Sequence, residues 1–96
     1  MPDFGDRRVM GCTRTDLVRW VGEMLGPGSG RFVDDTMDLR SAGVPLAIAV
    51  RDAPDRVLGL VRFRELQVSF DYAPQDEAAA RAWIARFDRH TQRGGG

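Results

Sequence analysis

Lysine and asparagine are absent from this 96-residue chain, and cysteine, histidine and tyrosine each occur once. A single cysteine, Cys12, cannot form an internal disulfide, so the fold is not a stapled extracellular scaffold and a cytoplasmic setting is expected. The 14 bases are all arginine, which reads as a GC-rich coding bias rather than a chemical choice. They are matched by 14 acids, for a net charge of zero. That balance disfavours a generic polyanion binder, because non-specific affinity for nucleic acid rests on a surplus of cations. Long apolar runs are also missing. The longest, Val44–Val50, contains Pro45, whereas a spanning helix takes about 20 apolar residues. The opening residues carry Asp3 and Asp6 where a secretory leader carries bases, and no apolar stretch follows them.

What the chain does have is 43% hydrophobic residues, enough for one folded domain. A domain of this size buries roughly two-thirds of the surface its unfolded chain exposes. That suffices for a core but not for two lobes around a deep cleft.

Residues 1–12 show no sustained period and read as a flexible tail, with Phe4, Val9 or Met10 the candidates for touching the core. Thr13 then opens a helix as N-cap, with Asp16 placed to reach back to it. Leu17, Trp20, Val21, Met24 and Leu25 fall on one helical face, and Gly26–Pro27 stops the helix. From Thr36 the period becomes two. Met37 and Leu39 alternate with Thr36, Asp38 and Arg40, then Val44, Leu46, Ile48 and Val50 with Pro45, Ala47, Ala49 and Arg51. The intervening Ser41–Ala42–Gly43 predicts a hairpin, with Pro45 at the start of its second strand. Val61 and Phe63 have one parity and Leu66, Val68, Phe70 and Tyr72 the other, which requires a bulge or a turn near Arg64–Glu65. Val57–Leu60 can add a short strand of its own. A second helix opens at Pro74 with acids in its first turn, carries Ala80, Trp83, Ile84 and Phe87 as its apolar stripe, and frays after His90.

The expected architecture is α+β: a two-layer sandwich of helix, three or four antiparallel strands and helix, with both helices on one sheet face. The domain spans 13–91, and 92–96 form a flexible glycine-rich tail.

The chemistry-bearing residues do not assemble into a site. Asp34, Asp35 and Asp38 have D-D-x-x-D spacing, but in a segment with strand alternation they read as a solvated loop rather than a magnesium site. His90 has no orienting partner nearby in sequence and sits where a helix dipole favours a cation. Cys12 precedes a helix N-terminus, a place that can lower a thiol pKa, yet no partner lies close. The Gly26–Arg31 loop leaves a helix rather than entering one, the wrong direction for a phosphate cradle. The reading is therefore non-catalytic, with no cofactor and no metal.

The sheet face away from the helices is the better candidate. It is expected to carry Thr36, Asp38, Arg40, Ala47, Ala49, Arg51, Gln67, Ser69 and Asp71, a flat patch of small side chains rimmed by Arg and Asp. Within it, Arg40, Ala47, Ala49, Arg51 and Ser69 form a candidate docking face for an unidentified protein partner or a second copy. Two other readings stand beside it. The ending Arg93–Gly94–Gly95–Gly96 has the terminal Gly-Gly of ubiquitin-like carriers, although here it follows a helix rather than a strand. A weak nucleic-acid-binding module would use Arg40, Arg51, Arg62 and Arg64. The helix–strands–helix order is similar to that of double-stranded RNA-binding domains, which contact phosphates through bases at the start of the final helix. Asp76 and Glu77 occupy that position here, so nucleic acid is not the expected partner, and neither is a membrane.

Overall fold

The computed structural model describes residues 4–95, with side chains from 5 to 92. In chain order the elements are β1 (Phe4–Met10), α1 (Arg14–Leu25), β2 (Thr36–Asp38), β3 (Ala47–Asp52), β4 (Arg56–Leu58), β5 (Val61–Phe63), β6 (Leu66–Tyr72) and α2 (Glu77–Gly95). Single 3-10 turns at Arg40–Ala42 and Pro74–Asp76 precede β3 and α2. Four strands form an antiparallel sheet in the order β1-β6-β3-β2, and β4 and β5 pair separately. The molecule is an α+β fold, as the alternation and the two amphipathic helices require.

Helix α1 starts where its cap lies. The Thr13 hydroxyl accepts from Asp16 N at 3.1 Å and the Asp16 carboxylate accepts from Thr13 N at 3.0 Å, a complete capping box. Leu17, Trp20 and Val21 from α1, and Ala80, Trp83, Ile84 and Phe87 from α2, meet the inner residues of the sheet in one core. Those inner residues alternate along β6 as Leu66, Val68, Phe70 and Tyr72, and across β3 and β2 as Ile48, Val50 and Met37. Phe87 is fully buried at the centre of an aromatic group, stacked on Trp83 and edge-on to Phe70 and Trp20. Gly30 is also buried, because the loop after α1 passes so close that a Cβ there would lie 3.0 Å from Val21 Cβ.

Two expectations at the ends are corrected. The stretch read as an N-terminal tail is strand β1, paired with β6 from Phe4↔Tyr72 to Met10↔Leu66. Its alternation was hidden because a charged residue fills an inner position. Arg8 lies over the Phe70 ring at 5.1 Å and bonds to Asp6 at 2.6 Å and to Asp88 of α2 at 2.5 Å. The guanidinium keeps polar partners while its stem covers apolar surface. At the other end α2 continues through Gly95 rather than fraying after His90. His90 Nε2 meets Glu23 Oε1 of α1 at 2.7 Å, which ties α2 to α1 at the point where fraying was expected, and the Thr91 hydroxyl donates to Asp88 O within the helix. Gly96 lies outside the described residues.

Candidate interaction surface

Strand register places the predicted outer residues in rows. Gly5, Asp71, Ala47 and Asp38 form the first; Arg7, Ser69, Ala49 and Thr36 the second; Val9, Gln67 and Arg51 the third. Ala47, Ala49, Arg51 and Ser69 are therefore brought together on the face away from the helices. Arg40 is not among them: it sits in the 3-10 turn after β2, its guanidinium 3.4 Å from Asp38. The chain leaves extended geometry at Leu39, whose side chain is fully buried, so the alternation that would have placed Arg40 outward ends one residue earlier. Ala47 is only 7% exposed, lying low between larger neighbours. Strand β1, which sequence reasoning left out of the sheet, adds Gly5, Arg7 and Val9 to this face.

The middle of the face is a shallow depression of about 300 Å³ lined chiefly by Arg7, Ala49, Arg51, Gln67, Ser69 and Asp71. Small side chains in the second row create it. The Ser69 hydroxyl donates to Asp71 Oδ1 at 2.7 Å, fixing that carboxylate beside Gly5, where a Cβ would approach it to 3.2 Å. Charge on the face is mixed along the strands, with Asp38 and Asp71 in the first row, Arg7 in the second and Arg51 in the third.

Beyond the third row the β3–β6 ribbon continues as an arm. Asp52 pairs with Leu66 and Arg56 with Phe63, so three residues (Ala53–Asp55) face two (Arg64 and Glu65). One residue is inserted, but on the strand opposite Arg64–Glu65, where the bulge was expected; Val61 and Phe63 differ in parity from Leu66–Tyr72 because they face the other way and are exposed. The extra residue lies on the strand carrying Pro54, which has no N–H for the ladder. The arm closes through Gly59 and Leu60, with positive φ at Gly59, the pattern of a type II′ hairpin turn.

The arm is apolar and uncovered. Leu60 is fully exposed, Leu58 57%, Val57 and Val61 53% each, and Phe63 41%. These are five of the eight large hydrophobic side chains exposed among the described residues. Arg64 lines a recess with Thr13, Thr15 and Leu66, on the helix side of the sheet. Alternation then turns Phe63 and Val61, with their partners Arg56 and Leu58, to the side of the open face. Arg56 lies over the Phe63 ring at 5.4 Å. Sequence reasoning saw the short strand but not its exposure. The signal was present as apolar residues of both parities around Gly59, a pattern that one buried face cannot absorb.

The other candidates are dispersed. Cys12 is buried, and burial together with the nearby Asp16 carboxylate pushes its thiol up to about 11, the opposite of an activating environment. Asp35 accepts from Arg14 and Asp38 from Arg40, while Asp34 and Asp35 form a left-handed turn into β2. No group of three or more metal-ligating side chains gathers among the described residues. Arg51 faces the open side, Arg64 the helix side, Arg40 lies in a turn against Asp38 and Arg62 lies 4.0 Å from Asp55, so the four candidate nucleic-acid contacts do not gather on one surface. Among the described residues no helix is long and apolar enough to cross a membrane. No protein-family model matches the chain, and neither a curated protein nor a solved structure is similar to it.

Proposed function

We propose that this chain is a small non-catalytic cytoplasmic domain that acts by protein–protein contact, through the open sheet face and the β4–β5 arm. The observation that carries the reading is the concentration of exposed apolar side chains on a ribbon with nothing packed behind it. A two-stranded hairpin is marginal by itself in water, and gains stability when a partner covers its apolar side. The remaining chemistry supports the same view. The thiol is buried and protonated, and the lone imidazole is engaged with Glu23 in a clip between helices. Continuation of α2 through Gly95 weighs against a carrier tail, which must thread an extended chain into an activating enzyme.

The test compares the full chain with a Leu58→Asp/Val61→Asp variant as baits in the native host's lysate, with chemical crosslinking before capture. Retention of one protein by the first and its loss by the second is the expected result, whether that protein is another chain or a further copy of this one. Equal capture by both overturns the reading.

A further inference from the structure

We infer that β1 takes an extended segment of a partner protein as an added strand, with an acidic side chain of that segment opposite Arg7. The site lies beyond the arm and is tested separately from it. The sheet has two edges, and the chain closes only one of them. At β2 the edge is three residues long, and Thr36 already exchanges main-chain bonds with Val33. Strand β1 is seven residues long, pairs with β6 without a bulge and borders no further strand. Along an antiparallel pair every second residue turns its N–H and C=O away from the partner strand. Outside the ladder with β6, the main-chain bonds of β1 among the described residues are limited to Met10 O, which accepts from Cys12 N. The result is a row of unpaired donors and acceptors roughly 20 Å long, at about 3.4 Å per residue. An extended backbone is the ligand that such a row recognises.

The side chains beside the edge define what that segment carries. A groove of about 470 Å³ runs between β1 and α2, lined chiefly by Asp6, Arg8, Arg81, Ile84, Ala85 and Asp88. Its arginines are matched within the chain, Arg8 by Asp6 and Asp88 and Arg81 by Glu77. Residues of the segment opposite Asp6 and Arg8 enter this groove beside Ile84 and the exposed Ala85, a place for small uncharged side chains. On the other side of the strand Arg7 is exposed and has no ion pair or hydrogen bond among the described residues. Val9, two residues on, is 58% exposed. An acid opposite Arg7 and an apolar residue opposite Val9 supply the cross-strand pairs that are missing. A second copy does not fit the same edge. Antiparallel pairing about a two-fold axis sets one residue opposite itself, and a pairing that uses most of the strand puts Asp6, Arg7 or Arg8 there. Like charges directly opposite are destabilising.

The experiment is selection of random peptides displayed on phage against the full chain, followed by binding of the recovered peptides to Arg7→Asp and Ala85→Arg variants. Both substitutions fall at exposed positions, and each variant is checked by circular dichroism for an intact fold. The recovered peptides are expected to share an acidic residue with an apolar one two positions away. Arg7→Asp sets like charges together and weakens their binding by roughly tenfold or more, and Ala85→Arg fills the groove and abolishes it. Hydrogen exchange on the unmodified chain gives a readout that no substitution can disturb: the bound peptide should slow alternate amides of β1. A selection that yields no peptide, peptides without the acid, binding that both variants keep, or unchanged exchange along β1 would each overturn the inference. The Leu58→Asp/Val61→Asp variant separates this site from the contact reading above, and it is expected to bind the peptide as the full chain does. Peptide binding lost only in that variant ends the added strand and leaves the arm as the contact. Equal lysate capture by the arm variant, with the β1 response intact, removes the arm and leaves the edge.

Discussion

Replacing Phe87 by leucine tests whether the aromatic group holds the two layers together. The ring is fully buried, with centroids 5.4 Å from Trp83, 5.5 Å from Phe70 and 6.3 Å from Trp20. Trp83 and Phe87 lie on α2, Trp20 on α1 and Phe70 on β6, so one side chain bridges both helices and the sheet. Leucine keeps most of the apolar burial but loses three oriented ring contacts, each contributing about 0.5–1.5 kcal/mol. Partial relaxation around a smaller side chain recovers some of that, so a loss of about 2–3 kcal/mol is expected, against a total of about 5–15 kcal/mol for a domain. At about 4–8 °C per kcal/mol, the midpoint falls by roughly 10–20 °C. The control is Phe63→Leu on the arm, where only an exposed contact with Arg56 is lost and the change stays under about 1 kcal/mol. Urea unfolding followed by far-ultraviolet circular dichroism reads both without relying on the tryptophans beside the mutated ring. Equal losses for the two variants would refute the assignment of Phe87 as the joint between layers.

Three further outcomes follow from local geometry. Gly30→Ala forces a Cβ to within 3.1 Å of Val18 O and 3.0 Å of Val21 Cβ, so it should destabilise by about 1–3 kcal/mol in urea titration, whereas Gly11→Ala, with nothing nearby, should not. Arg14 donates to Asp35 at 2.9 Å and Asp52 at 2.8 Å, and its hydrogen bond to Asp52 holds that carboxyl below its ordinary value. The stability this lends is present above the unfolded carboxyl pKa of about 3.9 and is lost as pH falls through the lower folded value. Arg14→Gln should therefore flatten the acid limb of the melting-temperature profile, and an unchanged limb would remove Arg14 from that role. Cys12, with its thiol at about 11, should resist a thiol-specific disulfide reagent at neutral pH in the native protein and react at once in urea.

Legibility from sequence varied with how each segment meets the core. α1, β3, β6 and the start of α2 each set one apolar face against the interior, and their periods named them. The row of Ala47, Ala49, Arg51, Ser69 and Asp71 follows from the same rule, because outer positions are what inner positions leave behind. β1 escaped because it is an edge strand whose inner line runs Asp6, Arg8 and Met10. Its pairing depends on a guanidinium satisfied by Asp88, eighty residues away, a relation no local pattern contains. The end of α2 escaped for a similar reason, since His90 is held by Glu23 from the other helix.

The arm shows how a local irregularity can carry the surface of a whole molecule. Were the β3–β6 ladder continued in register, the even residues Arg56, Leu58, Leu60, Arg62 and Arg64 would follow the inner line of Leu66 and Val68, mixing leucines with three arginines on one side. The residue inserted between Asp52 and Arg56 lets the returning strands pair differently: Leu58 meets Val61, Arg56 meets Phe63, and Arg62 and Arg64 keep the opposite side. Val57 lies with Arg62 and Arg56 with Phe63, so each side of the ribbon carries both apolar and cationic side chains beyond the end of the helical layer, where no core remains to receive the apolar ones. An isolated ribbon gains nothing in water from those exposed apolar side chains. It gains when a partner surface covers them, which is the contact that Leu58→Asp/Val61→Asp removes.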